Sequence, residues 1–387
     1  MRILFLNHNV VGTGTYQRAY NFGRALAVRG HEVVVVTTRR RGFLRVQQSR
    51  ESGLTLVQMP DLTWGRVRTG WDPWNTLRRI SFLWGGRFDL IHAFDCRPAV
   101  ILPALALRAR SGAALFIDWA DWWGRGGRIH DRSGWFVRTT FGPIETWFEE
   151  AFRLQALGTT VISSALAERC ERMGIDRGQI LHVSDGCKHG APPLSRESAR
   201  AQLGIGGPLI AYLGTCTPAE MELACAMLRR LRSGGSQARL VFVGDPRVPV
   251  PRDVEACGAV LRTGFLPADE MALWLGAADL CLIVMPDTIG HRGRWPGKIS
   301  EYLSAGRPVL MTAVGDAAAL VQRVGAGWTA PPMAEALAEA AARVLPDEEA
   351  LARAGAAARA LAEGDLSWDR LAGELESFYH ERLASRA

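Results

Sequence analysis

Short apolar runs and one amphipathic stretch alternate at the start of the chain. A largely apolar run at 2–7 precedes the turn Val11-Gly12-Thr13-Gly14, apolar positions at helical spacing over 15–29, and a valine-rich run at 32–37. This order predicts a strand, a helix and a second strand. A strand that is apolar at consecutive positions indicates a parallel sheet buried on both faces. Further strands are predicted at 54–58, 88–94, 113–118, 159–163 and 180–184.

The second half of the chain repeats this alternation. An apolar strand at 208–213 leads into Gly214 and a helix over about 218–232, and the strand at 238–243 ends in Gly244. The remaining predicted strands are 258–263, 279–284 and 308–312, and the remaining helices are 267–277, 297–305 and 367–384.

The pattern therefore predicts two α/β domains with parallel sheets. The first covers 1–187, a linker rich in proline and glycine covers 188–207, and the second domain covers 208–366. The C-terminal helix in 367–387 could pack back on the first domain. Ligands of such sheets bind at the carboxyl ends of the strands, so two facing domains would create one cleft.

Composition narrows the class of protein and the compartment. The chain has 387 residues, of which 48% are hydrophobic and 22% charged, as in a folded protein. No apolar run is long enough to span a membrane, and the N-terminus is typical of a first strand and not of a signal peptide. Seven cysteines without ligand spacing favour a reducing compartment, and hence the cytoplasm. The net charge of +7 is compatible with nucleic acid, anionic lipid or phosphate-bearing substrates and does not choose among them.

The segment 291–309 carries the most specific chemistry. Pro296-Gly297 precedes a helix that is predicted to begin near Lys298, and a lysine beside helix-start amides is suited to a phosphate. Glu301, one turn later, could accept two ribose hydroxyls. The alternative is a capped helix with a Lys–Glu pair. Only two of the 46 basic residues are lysines, Lys188 and Lys298, which favours a special role for this ammonium.

The run Pro296-Gly297-Lys298-Ile299-Ser300-Glu301, continued to Val309, resembles the donor-binding segment of family 4 glycosyltransferases with the GT-B fold. The segments 29–33, 211–214, 241–244, 264–267 and 277–280 match the same family in the expected order. The resemblance implies two Rossmann-like domains that face each other across a cleft. It also implies a retaining, metal-independent transferase that uses a nucleoside diphosphate sugar and no cofactor.

Carried over by position, the resemblance assigns the diphosphate to Lys298 and the ribose to Glu301. Gly214 and Thr215 would lie under the diphosphate, and the backbone of Phe265-Leu266 would meet the base. The chain departs from the family pattern at Gly293, which replaces a glutamate, and at Thr215, which replaces an arginine. A lysine expected a few positions after Thr215 is also missing, so arginines near Lys298 would carry more of the charge. The predicted donor-binding residues are Gly214, Thr215, Gly244, Phe265, Leu266, Arg292, Arg294, Gly297, Lys298, Ile299 and Glu301.

Two segments of the first half are candidates for binding the acceptor. Gly12-Thr13-Gly14 could let the backbone approach an acceptor or a phosphate, although a plain tight turn is the alternative. Asp118-Trp119-Ala120-Asp121-Trp122 follows an apolar strand, and indole rings beside carboxylates suit a sugar or lipid acceptor. The resemblance puts Asp118 or Asp121 where many relatives have a histidine, so Asp118 joins Lys298 and Glu301 as a predicted catalytic residue. The alternative is an aromatic core with capping aspartates; a metal site is weakly supported.

Nine of the thirteen tryptophans, among them Trp64 and Trp135, precede residue 150, and many have arginine neighbours. This composition suits a membrane interface or a lipid-phosphate acceptor, and equally an aromatic core with solvated arginines. We therefore expect transfer to a glycan, lipid-linked or small-molecule acceptor, in the cytoplasm or at the inner face of the membrane. A nucleotide-sugar epimerase is the first alternative. A non-catalytic protein that binds nucleotide or anionic polymer is the second, although the sequence contains no nucleic-acid module.

Overall fold

A computed structural model describes residues 1–42, 44–62, 69–131, 134–187 and 195–386. It divides the chain into two compact units, Met1–Asp185 with Trp368–Ala387, and Gly186–Ser367. Trp64 and residues 188–194 of the predicted linker lie outside the described residues. The rest of that range is no simple linker, because it contains the helix Arg196–Leu203, which Ser195 caps and which belongs to the second unit.

The first unit contains an eight-stranded sheet in the order β3-β4-β2-β1-β5-β6-β7-β8. All neighbours pair in parallel except β3, which runs antiparallel to β4 at the edge. The sequence analysis missed β3 because its five residues are polar and exposed. The central strands are buried on both faces, which confirms the predicted class of sheet. The strands are β1 (Arg2–Val10), β2 (Glu32–Thr38), β3 (Gln47–Glu51), β4 (Leu54–Met59), β5 (Leu90–Phe94), β6 (Ala114–Trp119), β7 (Gly158–Val161) and β8 (Ile180–His182).

The second unit contains a six-stranded sheet in the order β11-β10-β9-β12-β13-β14, parallel throughout. Its order reverses direction at β9, which lies between β10 and β12. Such a reversal opens a crevice at the carboxyl ends of the strands. The strands are β9 (Leu209–Leu213), β10 (Arg239–Val243), β11 (Val260–Arg262), β12 (Leu280–Ile283), β13 (Val309–Thr312) and β14 (Gly327–Ala330).

Helices cover both faces of each sheet. In the first unit, Ile3 and Phe5 of β1 point to one face and Leu4 and Leu6 to the other, as the period of a strand requires. The helices are α1 (Tyr16–Val28), α2 (Pro73–Leu83), α3 (Pro98–Ser111), α4 (Trp135–Ala151), α5 (Ser164–Arg172), α6 (Arg196–Leu203), α7 (Pro218–Ser233), α8 (Arg252–Ala256), α9 (Ala268–Ala277), α10 (Ile289–Arg292), α11 (Lys298–Ser304), α12 (Gly315–Val324), α13 (Ala334–Val344), α14 (Glu348–Glu363) and α15 (Trp368–Ala384).

The C-terminal helix α15 belongs to the first unit. It packs on α1 and contributes Trp368, Leu375 and Tyr379 to the core that also contains Ile3 and Phe5. The opposite face of the sheet is covered by α2 and α3. In the described part of the chain, no helix combines the length and the hydrophobicity needed to cross a membrane.

Candidate active site

Helix α11 is fixed to the carboxyl end of the second sheet by Tyr302. The buried Tyr302 hydroxyl accepts a hydrogen bond from the Leu213 amide at 2.7 Å and donates one to the Leu282 carbonyl at 3.2 Å. The helix ends before Gly306, whose φ of +61° favours glycine. Because one side chain bonds both β9 and β12, the start of α11 is held beside the point where the strand order reverses.

Lys298, the first residue of α11, lies in this crevice. Its Nζ is 3.6 Å from the centroid of the Tyr212 ring and 3.4 Å from the Thr215 carbonyl oxygen. An ammonium over an aromatic face is attracted by the ring quadrupole. Burial lowers the pKa of Lys298 to about 7, although the carboxylate of Glu220 opposes that shift. The site therefore holds a poorly hydrated amine, and a bound anion would favour its protonated form.

A carboxylate that sequence reasoning missed lies next to Lys298. Glu220 is buried at the start of α7, where it completes a capping box with Thr217. His291 Nε2 lies 3.7 Å from its Oε1. Burial would raise the pKa of Glu220, but the nearby His291 imidazole, the hydrogen bond from the Thr217 amide and the charges of Arg294 and Lys298 lower it to about 2. The Thr-x-x-Glu pattern of a capping box was the available signal, and it reveals the cap but not the cation beside it.

The two predicted arginines behave differently. Arg294 contributes positive charge at Lys298 and at Glu220. Arg292 forms a bidentate, exposed pair with Asp287, with distances of 2.6 and 2.8 Å, so its charge is neutralised locally. Arg294 therefore adds charge beside Lys298 and Glu220, whereas the Arg292 guanidinium is held by Asp287.

The amides at the start of α11 contribute less than the sequence predicted. The helix has only seven residues, and the Ile299 amide donates to the Pro296 carbonyl at 2.9 Å. Gly297 caps the helix without a side-chain hydrogen bond, and its α-carbon faces open space. The side chain of Lys298, more than the helix start, provides the positive charge, and Glu301 follows half-buried on the same short helix.

Two glycine turns form the floor of the crevice. Gly214 and Gly244 have φ values of +73° and +98°, and a Cβ on Gly244 would stand 3.4 Å from the Gly214 α-carbon. The Gly244 turn and Gly264 border a cavity of about 340 Å³ that also has Arg247 in its wall. Phe265, next to this cavity, has 93% of its surface exposed, and Leu266 is half-buried. An apolar ring that stands in water beside a cavity is available to a ligand.

Asp118 is not placed where an acceptor could reach it. Its side chain is wholly buried, with both carboxylate oxygens 3.1 Å from Arg18 Nε, and the Thr160 hydroxyl donates to it at 2.5 Å. The second guanidinium arm of Arg18 reaches Asp185 at 3.0 Å. The predicted role of Asp118 with the acceptor therefore disagrees with the structure, which makes it part of an internal ion pair between α1 and β6.

The tryptophans that were predicted to bind the acceptor are largely buried as well. Trp119 and Trp122 are buried, and Trp119 Nε1 donates to Glu149 at 2.9 Å. Glu149 also accepts hydrogen bonds from the backbone amides of Trp123 and Gly124. Asp121 is half-buried in the turn between them. This geometry matches the alternative of an aromatic core better than an open sugar-binding surface.

The loop Gly12-Thr13-Gly14 stands exposed at the carboxyl end of β1. Gly12 and Gly14 have φ values of +83° and +53°, and a Cβ on Gly14 would clash with the Asn9 side chain at 2.6 Å. Thr13 turns its hydroxyl onto the Val10 carbonyl at 2.8 Å. The chain thus requires glycine at position 14 for a tight turn, and the turn leaves its backbone open to solvent.

A charged cluster at the end of the neighbouring strand was not predicted. Asp95 follows β5 with a φ of +86°, which is rare for a residue other than glycine. Its Oδ2 lies 3.0 Å from His8 Nε2 and 3.4 Å from Arg97 Nε. Although burial raises the pKa of Asp95, the His8 hydrogen bond and the Arg97 charge hold it well below its usual range. Burial and Arg97 lower the pKa of His8 to about 4, so this histidine is neutral.

Within the described residues, no group of three or more His, Cys, Asp or Glu side chains could hold a metal ion. The described cysteines are all free thiols.

Comparisons with known proteins agree with these features. Residues 13–186 match the family model described as "Glycosyl transferase 4-like domain", and residues 207–347 match "Glycosyl transferases group 1". No curated protein sequence matches the chain.

Solved structures resemble the whole chain. Sucrose-phosphate synthase from Thermosynechococcus elongatus has a TM-score of 0.75 at 17% identity, with 99% of each chain covered. WaaG, a glycosyltransferase involved in lipopolysaccharide biosynthesis, has a TM-score of 0.71 at 18% identity, covering 96% of this chain and 98% of that one. HepE of Anabaena, solved in complex with UDP and glucose, has a TM-score of 0.68 at 16% identity, covering 98% and 100%. The two family models favour a transferase over an epimerase or a non-catalytic binding protein, and the structural likeness identifies the fold. The chain is therefore a glycosyltransferase of the family 4 type with the GT-B fold.

Proposed function

We propose that the protein transfers a sugar from a nucleoside diphosphate sugar to an acceptor with retention of anomeric configuration, without a metal ion. The observation that carries the proposal is the position of Lys298, whose Nζ lies over the Tyr212 ring and beside the Thr215 carbonyl, at the carboxyl end of β9. A half-buried amine with a pKa of about 7 is suited to a diphosphate, because the phosphate charge restores its proton.

The donor would bind along the end of the second sheet. Lys298 and Arg294 would neutralise the diphosphate above the turn at Gly214 and Thr215, where the absence of a side chain on Gly214 permits close approach. Glu301 would accept the ribose hydroxyls. Support for a donor of this class comes from the binding of UDP and of UDP-glucose by HepE, a protein of the same fold.

The base would lie against Phe265. Its exposed ring can stack on a purine or a pyrimidine, and the adjoining cavity beside Gly244 and Arg247 has room for part of the nucleotide. Stacking alone discriminates weakly among bases, so the choice of base would depend on the backbone at Phe265-Leu266.

The reaction would break the bond between the anomeric carbon and the diphosphate oxygen, whose electron pair leaves with the diphosphate. Lys298 and Arg294 would stabilise the charge that develops there. In the retaining course, the acceptor hydroxyl forms its bond to the anomeric carbon on the face that the diphosphate leaves. The acceptor proton passes to a phosphate oxygen, so no protein nucleophile is required.

The acceptor would be held by the first unit. The exposed turn Gly12-Thr13-Gly14 and the carboxylate of Asp95 lie at the carboxyl ends of the adjacent strands β1 and β5. Asp95 would orient the acceptor hydroxyl in place of Asp118, the predicted catalytic residue, because the Asp95 side chain keeps 17% of its surface exposed. A glycan, a lipid-linked sugar and a small molecule all offer the necessary hydroxyl. The tryptophan- and arginine-rich first half supports contact with the inner face of a membrane, as a lipid-linked acceptor would require.

The donor proposal can be tested by thermal-shift measurements with UDP, ADP and GDP, followed by turnover assays with the corresponding glucose conjugates. At least one nucleotide should stabilise the wild type, and Lys298→Ala should remove that shift and lower turnover about 100-fold or more. Arg229→Ala is the matched control, because Arg229 lies at the far end of α7 in exposed ion pairs with Glu222 and Asp253. A Lys298→Ala protein that binds and turns over like the control would refute the proposed site.

Retention has its own measurement. NMR of the anomeric proton in the first product formed should show the configuration of the donor. An inverted product would reject the retaining course while leaving the donor site in place.

A further inference from the structure

Helices α2 and α3 cover one face of the first sheet, and α4 joins the same core through Phe148 and the adjoining Phe152. The outer surface of these helices carries several exposed aromatic rings. We call this surface the α2–α4 face and define it by Phe82, Trp84, Trp135, Phe136, Phe141 and Trp147. Among the described residues, every Phe or Trp classed as exposed lies on this face except Phe265. Exposed aromatics are normally scattered, and a concentration on one surface marks a contact with a partner or a membrane.

In helix α4, polar side chains face the protein and aromatic side chains face outward, the reverse of the usual arrangement. The side that packs against the protein carries the buried polar groups Glu145, Thr146 and Glu149. Glu149 is engaged there by Trp119 and two backbone amides. The outward side instead presents Trp135 and Phe136, with 69% and 61% of their surfaces exposed. An amphipathic helix at the surface of a protein normally buries its aromatic residues and exposes its polar ones.

The helices are also continuous with one another. Trp71, just before α2, meets Phe148 of α4 edge to face at 5.3 Å. Phe152, which ends α4, is buried in the same core as Leu83 of α2 and Ile101 of α3. The aromatic groups of α2 and α4 therefore belong to one surface of the first unit.

The exposed charges that the described residues of α2, α3 and α4 contribute to this surface have one sign. Helices α2 and α3 contain no acidic residue. The acidic residues of α4 are the two buried glutamates and Glu150, which is paired with Arg169. The positive charges are Arg138, which is exposed in the first turn of α4, and Arg110, whose guanidinium lies 5.4 Å from the centroid of the Trp84 ring. Positive charge without exposed negative charge complements an anionic surface.

We propose that the α2–α4 face docks on a membrane that contains anionic phospholipid. Tryptophan and phenylalanine partition into the region between headgroups and acyl chains, and arginine reaches the phosphates while its aliphatic stem remains among apolar groups. The combination of apolar aromatics with unopposed arginine favours lipid over a second protein, because protein interfaces pair their charges across the contact. The inference rests on the membrane contact proposed above and not on the transfer reaction.

Vesicle co-sedimentation of the full chain tests the proposal without any sugar donor. The wild type should bind vesicles made of equal parts phosphatidylglycerol and phosphatidylcholine, and should bind pure phosphatidylcholine much less. Phe136→Asp and Trp135→Asp should each weaken binding about tenfold or more, since each removes an inserted ring and adds a negative charge. Arg138→Ala should weaken binding to the anionic vesicles about fivefold.

Val28→Asp is the matched control. Val28 is exposed on α1, which packs on the other face of the same sheet, so this variant adds the same charge away from the α2–α4 face. It should bind as the wild type does, and unchanged thermal unfolding of all variants would show that they are folded.

Three results would overturn the proposal. The first is a wild type that does not sediment with the anionic vesicles. The second is a loss of binding that is equal in Val28→Asp and Phe136→Asp. The third is concentration-dependent self-association of the wild type, abolished by Phe136→Asp without any vesicle binding, which would make the face an interface between copies of the chain. Because no nucleotide is present, none of these results bears on the donor site.

Discussion

The amine of Lys298 should take up a proton when a nucleoside diphosphate binds. Its pKa is about 7 in the empty site, so at pH 8 only about a tenth of the molecules carry the charge. A bound diphosphate favours the charged form, so binding at pH 8 should take up about 0.9 proton per site. At pH 6 the uptake at this residue should be about 0.1 proton per site.

The groups near Lys298 are not expected to gain or lose protons around pH 8. Burial would raise the pKa of Glu220, but the nearby His291 imidazole, the Thr217 amide and the nearby cations lower it to about 2. Burial raises the pKa of Cys216 to about 11 and that of Tyr212 still further. The terminal phosphate of the nucleotide titrates at about pH 6, so it contributes little to proton uptake at pH 8. Around pH 8, Lys298 is therefore the group expected to change its charge.

The same argument fixes the direction of the pH dependence of affinity. If only the protonated amine binds, the apparent Kd at pH 9 should be about 50-fold higher than at pH 7, because the charged fraction falls from a half to about 1%. Isothermal titration calorimetry at pH 8, in buffers that differ in ionisation enthalpy, measures the proton uptake directly. The probe is whichever of UDP, ADP or GDP stabilises the wild type.

Lys298→Arg is the sharpest comparison, because a guanidinium stays charged at all these pH values. Its nucleotide binding, whatever its strength, should show no proton uptake at pH 8 and no loss of affinity up to pH 9. Enthalpies that are independent of the buffer in the wild type, with nucleotide clearly bound, would refute the assignment of a neutral amine to the empty site.

Three further outcomes follow from buried groups. Asp118→Ala should lower the free energy of unfolding by about 3 kcal/mol, because the buried Arg18 loses the more deeply buried of its two carboxylate partners and keeps only Asp185. Asp253→Ala, in an exposed pair, should leave urea unfolding unchanged. Burial raises the pKa of Glu149 from 4.5 to about 7, so the folded state binds a proton that the unfolded chain has released. Stability should accordingly fall as the pH rises through this window, and Glu149→Gln should flatten the fall in urea midpoints. Tyr302→Phe should cost about 1–3 kcal/mol, since a strand amide and a carbonyl lose their shared hydroxyl, and it should weaken nucleotide binding in calorimetry.

The alternation of apolar runs identified the parts of the fold that depend on local pattern. The strands β1, β2 and β9 and the helix α1 lie where hydrophobic spacing predicted them, and α11 begins at Lys298, as Pro296-Gly297 indicated. The edge strand β3 could not be found in this way, because an exposed antiparallel strand needs no apolar face and its pairing depends on β4.

The roles of polar residues were harder to predict, because they depend on distant partners. Asp118 resembles an accessible carboxylate at the end of a strand, but its partner Arg18 lies 100 positions away, on α1. Trp119 likewise faces Glu149, 30 positions later. Conversely, Asp95 gave no signal, because neither its backbone conformation, with a φ of +86°, nor its contact with His8 follows from a sequence pattern. Sequence spacing predicts which face of a helix or strand a residue occupies, but it does not predict the residue's partners on other elements.

The presence of a lysine at position 298 has a physical explanation. The chain uses arginine for nearly all of its 46 basic residues, yet a lysine occupies the position above Tyr212. A buried guanidinium there would remain charged and poorly hydrated in the empty enzyme, at a cost to stability. An amine can release its proton while the site is empty and regain it from solvent when the diphosphate arrives. Glu220, held ionised by its own cap and by His291, then limits how far the pKa of the amine falls. The pair thus sets the pKa of Lys298 close to neutral pH, so that the charge of the site can follow the charge of its ligand.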